Sequence, residues 1–268
     1  MIETIKLVLA LLVIALVTLF LFPFQLVALK LNLGIARKIP LFWHRMVTKL
    51  FGIRIDIKGK LSKERPLLIA ANHISWMDIL VIGSIDELCF ISKHEINELP
   101  GANVLARMQR TIFVVRDKRR EVGKQAREIT ERMLSGDPVV LFAEGTTGDG
   151  QRVLGFKSAL FGAAHYAMGE QGSENVFVQP VAISYKKLHG MPLGRTGRTL
   201  SAWTGDMTLA PHVLSVLRKP AWDVVVNVGD PVAINKETKR REVAAEMRKQ
   251  IRSMFVQENF GRPFDDKG

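Results

Sequence analysis

The 268 residues are 47% hydrophobic and 24% charged, with one cysteine and a formal net charge of +12. That apolar content supports a packed core and excludes a disordered chain, and a lone cysteine excludes an internal disulfide framework. The positive balance attracts nucleic acid, anionic lipid or an acidic carrier protein, and charge alone does not choose among them.

Residues 7–29 carry no charged side chain. As a helix rising about 1.5 Å per residue they reach about 34 Å, enough for a hydrocarbon core of about 30 Å. Pro23 and Gln25 interrupt the second half, so a kink or a re-entrant path competes with a full span. The run is too long for the core of a signal peptide and no small-x-small cleavage site follows it, which favours an anchor over a cleaved leader. Only Lys6 and the amino terminus are positive ahead of the run, whereas Lys30, Arg37, Lys38, Arg45 and Lys49 follow it. The positive-inside bias therefore places the rest of the chain in the cytoplasm.

Residues 40–52 predict a helix with Pro40 at its first position and Gly52 as its cap. Leu41, Phe42, Met46, Leu50 and Phe51 share one broad face, as in an interfacial amphipathic helix or a helix packed on its own core. Residues 1–52 are thus expected to form a membrane anchor with an interfacial helix, and residues 53–268 a separate folded domain.

From Ile53 onward strands and helices alternate. Ile53, Ile55 and Ile57 alternate with polar residues, as in a half-buried strand. Residues 66–71 form a continuous apolar run typical of a central strand. Residues 79–82 read as helix, and 88–91 and 111–115 as strands; Cys89 lies in the first of these and reads as a buried small hydrophobe. Residues 119–134 read as a helix with Val122, Ala126, Ile129 and Met133 in one stripe. Strands follow at 138–143, 176–184 and 223–228, with helices at 156–168 and 237–255. This predicts an α/β domain with a largely parallel or mixed sheet flanked by helices, behind the N-terminal hydrophobic helix.

In such folds the residues just after a buried strand face the ligand crevice. Three strands end in polar chemistry: Asn72-His73-Ile74-Ser75-Trp76-Met77-Asp78, Arg116-Asp117, and Glu144-Gly145-Thr146-Thr147-Gly148-Asp149-Gly150. His73 has the near-neutral pKa that suits a general base. Asp78 can orient it only if His73 stands outside the helix that carries Asp78, because a five-residue spacing does not share a helical face. Ser75-x-x-Asp78 is also a capping-box pattern, so Asp78 has a purely structural reading. Arg116 can grip a phosphate or carboxylate, or form an ordinary ion pair. Gly145 permits close approach of a ligand to the backbone, or is simply a turn.

Other motifs fail. The spacing from Gly145 to Gly150 is that of a P-loop, but Gln151 stands where lysine is required. There is no Gly-x-Ser-x-Gly elbow, and the six histidines show no zinc spacing.

Taken in order, these pieces resemble the 1-acylglycerol-3-phosphate acyltransferase (PlsC-like lysophospholipid acyltransferase) family. Asn72-His73 through Asp78 matches its N-H-x-x-x-x-D motif. Phe113-Val114-Val115-Arg116 matches the end of G-x-x-F-[IV]-x-R, Glu144-Gly145-Thr146 matches E-G-T-R, and Val178-Gln179-Pro180-Val181 matches a late V-x-P-V strand. The resemblance covers roughly residues 55–235. It implies an O-acyltransferase of membrane lipid biosynthesis, expected at a bacterial inner membrane. His73, oriented by Asp78, takes the proton of a lyso-lipid hydroxyl, which attacks the thioester of acyl-carrier protein or acyl-CoA. Arg116, Glu144, Gly145 and Thr146 hold the acceptor head group, and no cofactor, metal or nucleic acid is called for.

The pattern is broken twice. Arg110 takes the glycine position of the second motif, and Thr147 takes the arginine position of the third. The family links that arginine to the acceptor phosphate. Together with residues 152–158, the Glu-Gly-Thr-Thr stretch looks more like the lyso-ornithine lipid O-acyltransferase branch. If Arg110, Arg152 or Lys157 replaces the missing charge, the acceptor is 1-acyl-sn-glycerol-3-phosphate instead. A non-catalytic lipid-binding protein and a membrane-tethered nucleic-acid binder are the readings outside enzymology, the second resting on charge alone.

Overall fold

The computed structural model describes residues 2–99, 101–114, 122–169, 174–204 and 207–261. The apolar run at 66–71 becomes β2 (Leu67–Ala71), whose five residues are all buried. A strand buried on both faces sits inside a sheet between neighbours. Here those neighbours are β5 (Val139–Phe142) and β6 (Val176–Leu188), both parallel to it. Beyond β5 lie β3 (Cys89–Lys93) and then β4 (Ile112–Val114), each parallel to its neighbour. Beyond β6, β8 (Trp222–Val228) runs antiparallel and β1 (Arg54–Lys58) closes the edge parallel to β8. Two short strands, β7 (Met191–Pro192) and β9 (Val232–Ile234), pair antiparallel with β6 and complete a mixed sheet of nine strands among the described residues.

The helices cover this sheet. After β2 comes α3 (Met77–Gly83), and α4 (Ala102–Met108) lies between β3 and β4. Downstream are α5 (Val122–Leu134), α6 (Gly162–Gly169), the short α7 (Arg195–Arg198), α8 (Leu209–Leu217) and α9 (Arg240–Phe260). In α5 the expected stripe buries Ile129 and Met133; α9 buries Val243, Met247 and Ile251, with Met254 half-buried, and packs on β6. Each fully buried side chain of this size contributes about 1.5–3 kcal/mol. The helix expected over 156–168 begins only at Ser158, as one 3₁₀ turn leading into α6. The strand expected to 115 and the helix expected from 119 extend into positions outside the described residues.

At the N-terminus, α1 (Ile2–Lys30) and α2 (Ile35–Leu50) fold back on each other. The stretch Thr4–Lys30 is long and apolar enough to cross a membrane. It is not apolar lipid contact all round. Leu7, Ala10 and Ile14 pack against the core, and Gln25 and Ala28 are buried, whereas Leu12, Leu16, Leu19 and Phe20 are exposed. Spacings of three and four give α1 one face toward the protein and the rest toward its surroundings.

The sequence places Pro40 at the first turn of a helix, but α2 begins at Ile35 and Pro40 lies inside it. Proline has no N–H, so the Ala36 carbonyl loses its usual donor. Gln25 supplies one: its Nε2 donates to Ala36 O at 2.9 Å and to Met108 O at 2.6 Å. The polar residue that interrupts the apolar run thus repairs the proline break and ties α1 to α2 and α4. Gly52, at φ +63°, ends the helix as expected, with Ile53 N donating to Thr48 O at 2.8 Å. The buried face of α2 carries Ala36, His44, Val47 and Thr48, and Phe42 and Leu50 point outward. His44 donates to Gln109, and burial lowers its pKa to about 4. Its ring occupies the space left by Gly83, where a Cβ would lie 2.6 Å from the imidazole.

Candidate active site

Strand register brings the motifs together. Ala71 pairs with Phe142 across β2 and β5, so His73 and Glu144, each two residues on, emerge side by side. On the other side Ala71 pairs with Val181 of β6, which carries Tyr185 four residues on. Asn72 fixes the exit from β2: its Nδ2 donates to Ile183 O at 3.1 Å and its Oδ1 accepts from Ile183 N at 2.8 Å.

His73 stands in the turn before α3, outside the regular helix, as the orienting role requires. Its Nδ1–H donates to Asp78 Oδ2 at 2.8 Å. The same oxygen accepts from Ile74 N at 2.6 Å and Ser75 N at 2.9 Å. The bond from Ser75 N is one half of the capping box; the other half is absent, because the Ser75 hydroxyl has no partner among the described residues. Asp78 therefore closes the turn and holds the imidazole with one carboxylate. Asp78 Oδ1 accepts from the Tyr185 hydroxyl at 2.7 Å. Burial raises the pKa of Tyr185 well above the phenol value, and the neighbouring carboxylate adds to this, so Tyr185 is a permanent donor. Asp78 is fully buried and the His73 side chain is 16% exposed. The His73 ring also stacks on Phe142, centroids 3.9 Å apart and planes 14° from parallel.

With Nδ1 committed to a carboxylate, Nε2 is left to accept a proton, and the buried anion stabilises the imidazolium that results. Tyr185 and Phe142 were missed in the sequence. Tyr185 lies 107 residues from Asp78 and no local pattern connects them. Phe142 could be found only from strand register.

His73 lines a cavity of about 420 Å³. Its walls come from α1 (Leu21, Phe22), α2 (Trp43), α4 (Ala102, Ala106) and β5 (Phe142). The lining is mostly apolar, and the membrane-type helix forms part of it. Gly145, Thr146 and Thr147 line the same cavity. Gly145, at φ +72°, makes the turn after β5, a conformation costly for any residue with a side chain. Gly148 N donates to His73 O at 2.7 Å, which clamps this loop to the histidine turn.

Glu144 lies beneath the loop, only 2% exposed, and does not form the cavity wall. Its Oε1 accepts from Leu154 N at 3.2 Å, bracing the loop from below. Burial raises its pKa to about 8, opposed by backbone N–H groups of Leu154 and His73 and reinforced by Asp78. Arg116 lies outside the described residues. Arg110 does not replace the missing guanidinium: it pairs with Asp137, the residue two before β5, at the end of that strand opposite Glu144. It also holds φ +63°, a backbone conformation that suits the glycine it replaces. Arg152 and Lys157 are exposed and away from the cavity lining. Cys89 is buried, which pushes its thiol up to about 12 and makes it inert. No cluster of His, Cys, Asp or Glu among the described residues could hold a metal.

The acyltransferase family profile matches residues 52–184, which contain the histidine turn, Glu144 and most of β6. A lyso-ornithine lipid O-acyltransferase of Brucella abortus (strain 2308) is 46% identical over 262 residues, 98% of this chain and 98% of that protein. The chain belongs to the acyltransferase family. A second lyso-ornithine lipid O-acyltransferase, from Rhizobium meliloti (strain 1021), is 42% identical to this acyltransferase over 262 residues, 98% of the chain and 90% of the relative. A 1-acyl-sn-glycerol-3-phosphate acyltransferase of Neisseria gonorrhoeae is 35% identical over 108 residues, 40% of this chain and 42% of that one. The crystal structure of the 1-acyl-sn-glycerophosphate acyltransferase PlsC from Thermotoga maritima shares the fold. Its TM-score is 0.64 at 22% identity, covering 98% of this chain and 100% of that chain.

Proposed function

We propose that this acyltransferase esterifies the free hydroxyl of lyso-ornithine lipid with a fatty acyl group from acyl-carrier protein or acyl-CoA. The observation that carries the reaction is the His73–Asp78 pair opening into an apolar cavity partly walled by α1. His73 Nε2 takes the proton of the acceptor hydroxyl, and the oxygen attacks the thioester carbonyl. Asp78 fixes the tautomer and balances the imidazolium, and the thiolate then leaves with that proton. General-base help of this kind gives about 10²–10⁴-fold. The cavity takes acyl chain, and its wall of α1 and α4 side chains sets how much chain it accepts.

Two observations support the acceptor. Relatives named for lyso-ornithine lipid match along the whole chain, whereas the glycerol-phosphate relative matches over 40% of it. Thr147 brings no guanidinium, and its hydroxyl donates to Trp203 O. A head group with one carboxylate and an ammonium needs fewer cations than a phosphate does. Arg116 is assigned to that carboxylate. Residues 1–52 serve as the anchor and residues 53–268 as the catalytic domain, held on the cytoplasmic face by the basic residues after α1.

The test is an assay of purified full-length protein in lipid vesicles with lyso-ornithine lipid and 1-acyl-sn-glycerol-3-phosphate side by side. Preference for the ornithine acceptor is expected. Preference for the glycerol phosphate overturns the acceptor assignment and leaves the reaction type intact.

A further inference from the structure

The His73–Asp78 pair accounts for the proton in acyl transfer but not for the charge that develops on the thioester carbonyl. When the acceptor oxygen bonds to the carbonyl carbon, the carbonyl π pair moves onto oxygen. The resulting tetrahedral oxyanion sits in a low-dielectric, largely apolar cavity. Fixed N–H donors aimed at that oxygen are the usual way to hold such a charge.

The loop after β5 offers two. Gly145 N donates to Phe142 O at 3.0 Å and Gly148 N donates to His73 O at 2.7 Å, so both ends of the loop are tied down. Between them, the backbone N–H groups of Thr146 and Thr147 meet no acceptor among the described residues. Both residues line the cavity that His73 lines. Successive amides in a turn that includes a left-handed residue can form a concave anion-binding nest, and Gly145 is at φ +72°. The loop also adjoins the histidine turn. Thr147 directly precedes the residue bonded to His73 O, and successive Cα atoms are only about 3.8 Å apart. The Thr147 hydroxyl is committed to Trp203 O, so it does not compete for the backbone amides.

We propose that the Thr146 and Thr147 amides form the oxyanion-binding site of the acyl-transfer step, beside the base. This rests on the acyl-transfer reading of the cavity and gives the loop a role distinct from gripping the head group. In the step, the acceptor proton passes to His73 Nε2 as the new C–O bond forms. The carbonyl oxygen carries the negative charge between the two amides. Its collapse restores the carbonyl and breaks the C–S bond, and the thiolate recovers the proton from His73. The substitution of threonine for arginine in the third motif leaves this device untouched, because it uses main chain only.

Two experiments test it on the full-length protein in vesicles. The first uses the unmodified enzyme with acyl-CoA and its dithioester analogue, in which sulfur replaces the carbonyl oxygen, each normalised to its non-enzymatic reaction with the same alcohol. Sulfur is a poor hydrogen-bond acceptor, so a fall in kcat of about 10²-fold or more is expected. Equal normalised rates overturn the proposal. The second replaces the Thr146 or Thr147 amide with a backbone ester, which deletes one N–H and keeps the side chain. A fall in kcat of about 10²–10³-fold is expected for at least one position, with the acceptor KM kept. A folded variant that keeps kcat and raises only the acceptor KM assigns the loop to the head group and overturns the proposal. Should the unmodified enzyme acylate no lyso-lipid from the ordinary thioester, the acyl-transfer reading itself fails.

Discussion

Replacing Tyr185 with Phe removes one oxygen and keeps the ring that meets Trp222 edge-on at a centroid distance of 6.0 Å. The carboxylate of Asp78 then retains three donors on Oδ2, namely His73, Ile74 and Ser75, and loses the Tyr185 donor on Oδ1. A hydrogen bond to a charged group is worth about 1.5–3 kcal/mol, and here the acceptor is fully buried. The variant should unfold with a loss of stability in that range. With the carboxylate less firmly held, kcat should fall by about tenfold, the rate equivalent of about 1.4 kcal/mol. The acceptor KM should not change, because Tyr185 is buried behind Asp78. The assay is steady-state acyl transfer in vesicles, paired with denaturant unfolding. A folded variant whose kcat matches the parent would refute a positioning role for Tyr185, even if its stability fell.

Asp78→Asn should lower kcat by about 10³–10⁴-fold by misorienting the imidazole, with the fold retained; wild-type kcat would remove Asp78 from the mechanism. Glu144 is held near about 8 by burial, so as pH rises the unfolded chain releases this proton first. Stability should fall between about pH 4.5 and 8, and Glu144→Gln should flatten that slope in unfolding curves; an unchanged slope contradicts the burial argument. Gln25→Leu leaves the Ala36 and Met108 carbonyls without its two hydrogen bonds and should cost about 1–3 kcal/mol in thermal unfolding; an unaltered melting curve would show that the helix pair does not depend on this pin. Ala106→Phe fills part of the cavity wall and should shift donor preference to shorter acyl chains, and an unchanged chain-length profile would place the acyl chain elsewhere.

What could be read from the sequence followed physical range. The His73 to Asp78 spacing is local, and its functional reading set one structural condition, a histidine outside the helix, which the turn before α3 meets. The buried runs at 66–71 and 138–143 appear as β2 and β5 because continuous apolar residues have nowhere else to go in a sheet. Features that need a distant partner were not legible. Tyr185 is joined to Asp78 only by the packing of β6 against β2. Pro40 looked like a helix start because the donor that makes an interior proline tolerable, Gln25, belongs to another helix. The short elements β7, β9, α4, α7 and α8 have too few residues to show a period. Glu144 looked like a ligand-facing residue, and only its burial shows that it braces the loop from beneath. Arg110 is a free cation by sequence alone, and its partner Asp137 lies 27 residues away.

The most direct measurement is acyl transfer by His73→Ala, compared with the parent enzyme in vesicles containing lyso-ornithine lipid and an acyl thioester. The parent should form the O-acylated product, and the folded, membrane-inserted variant almost none. Turnover by the variant at the parent's rate would mean that the imidazole is not the base, and the mechanism built on it would fall.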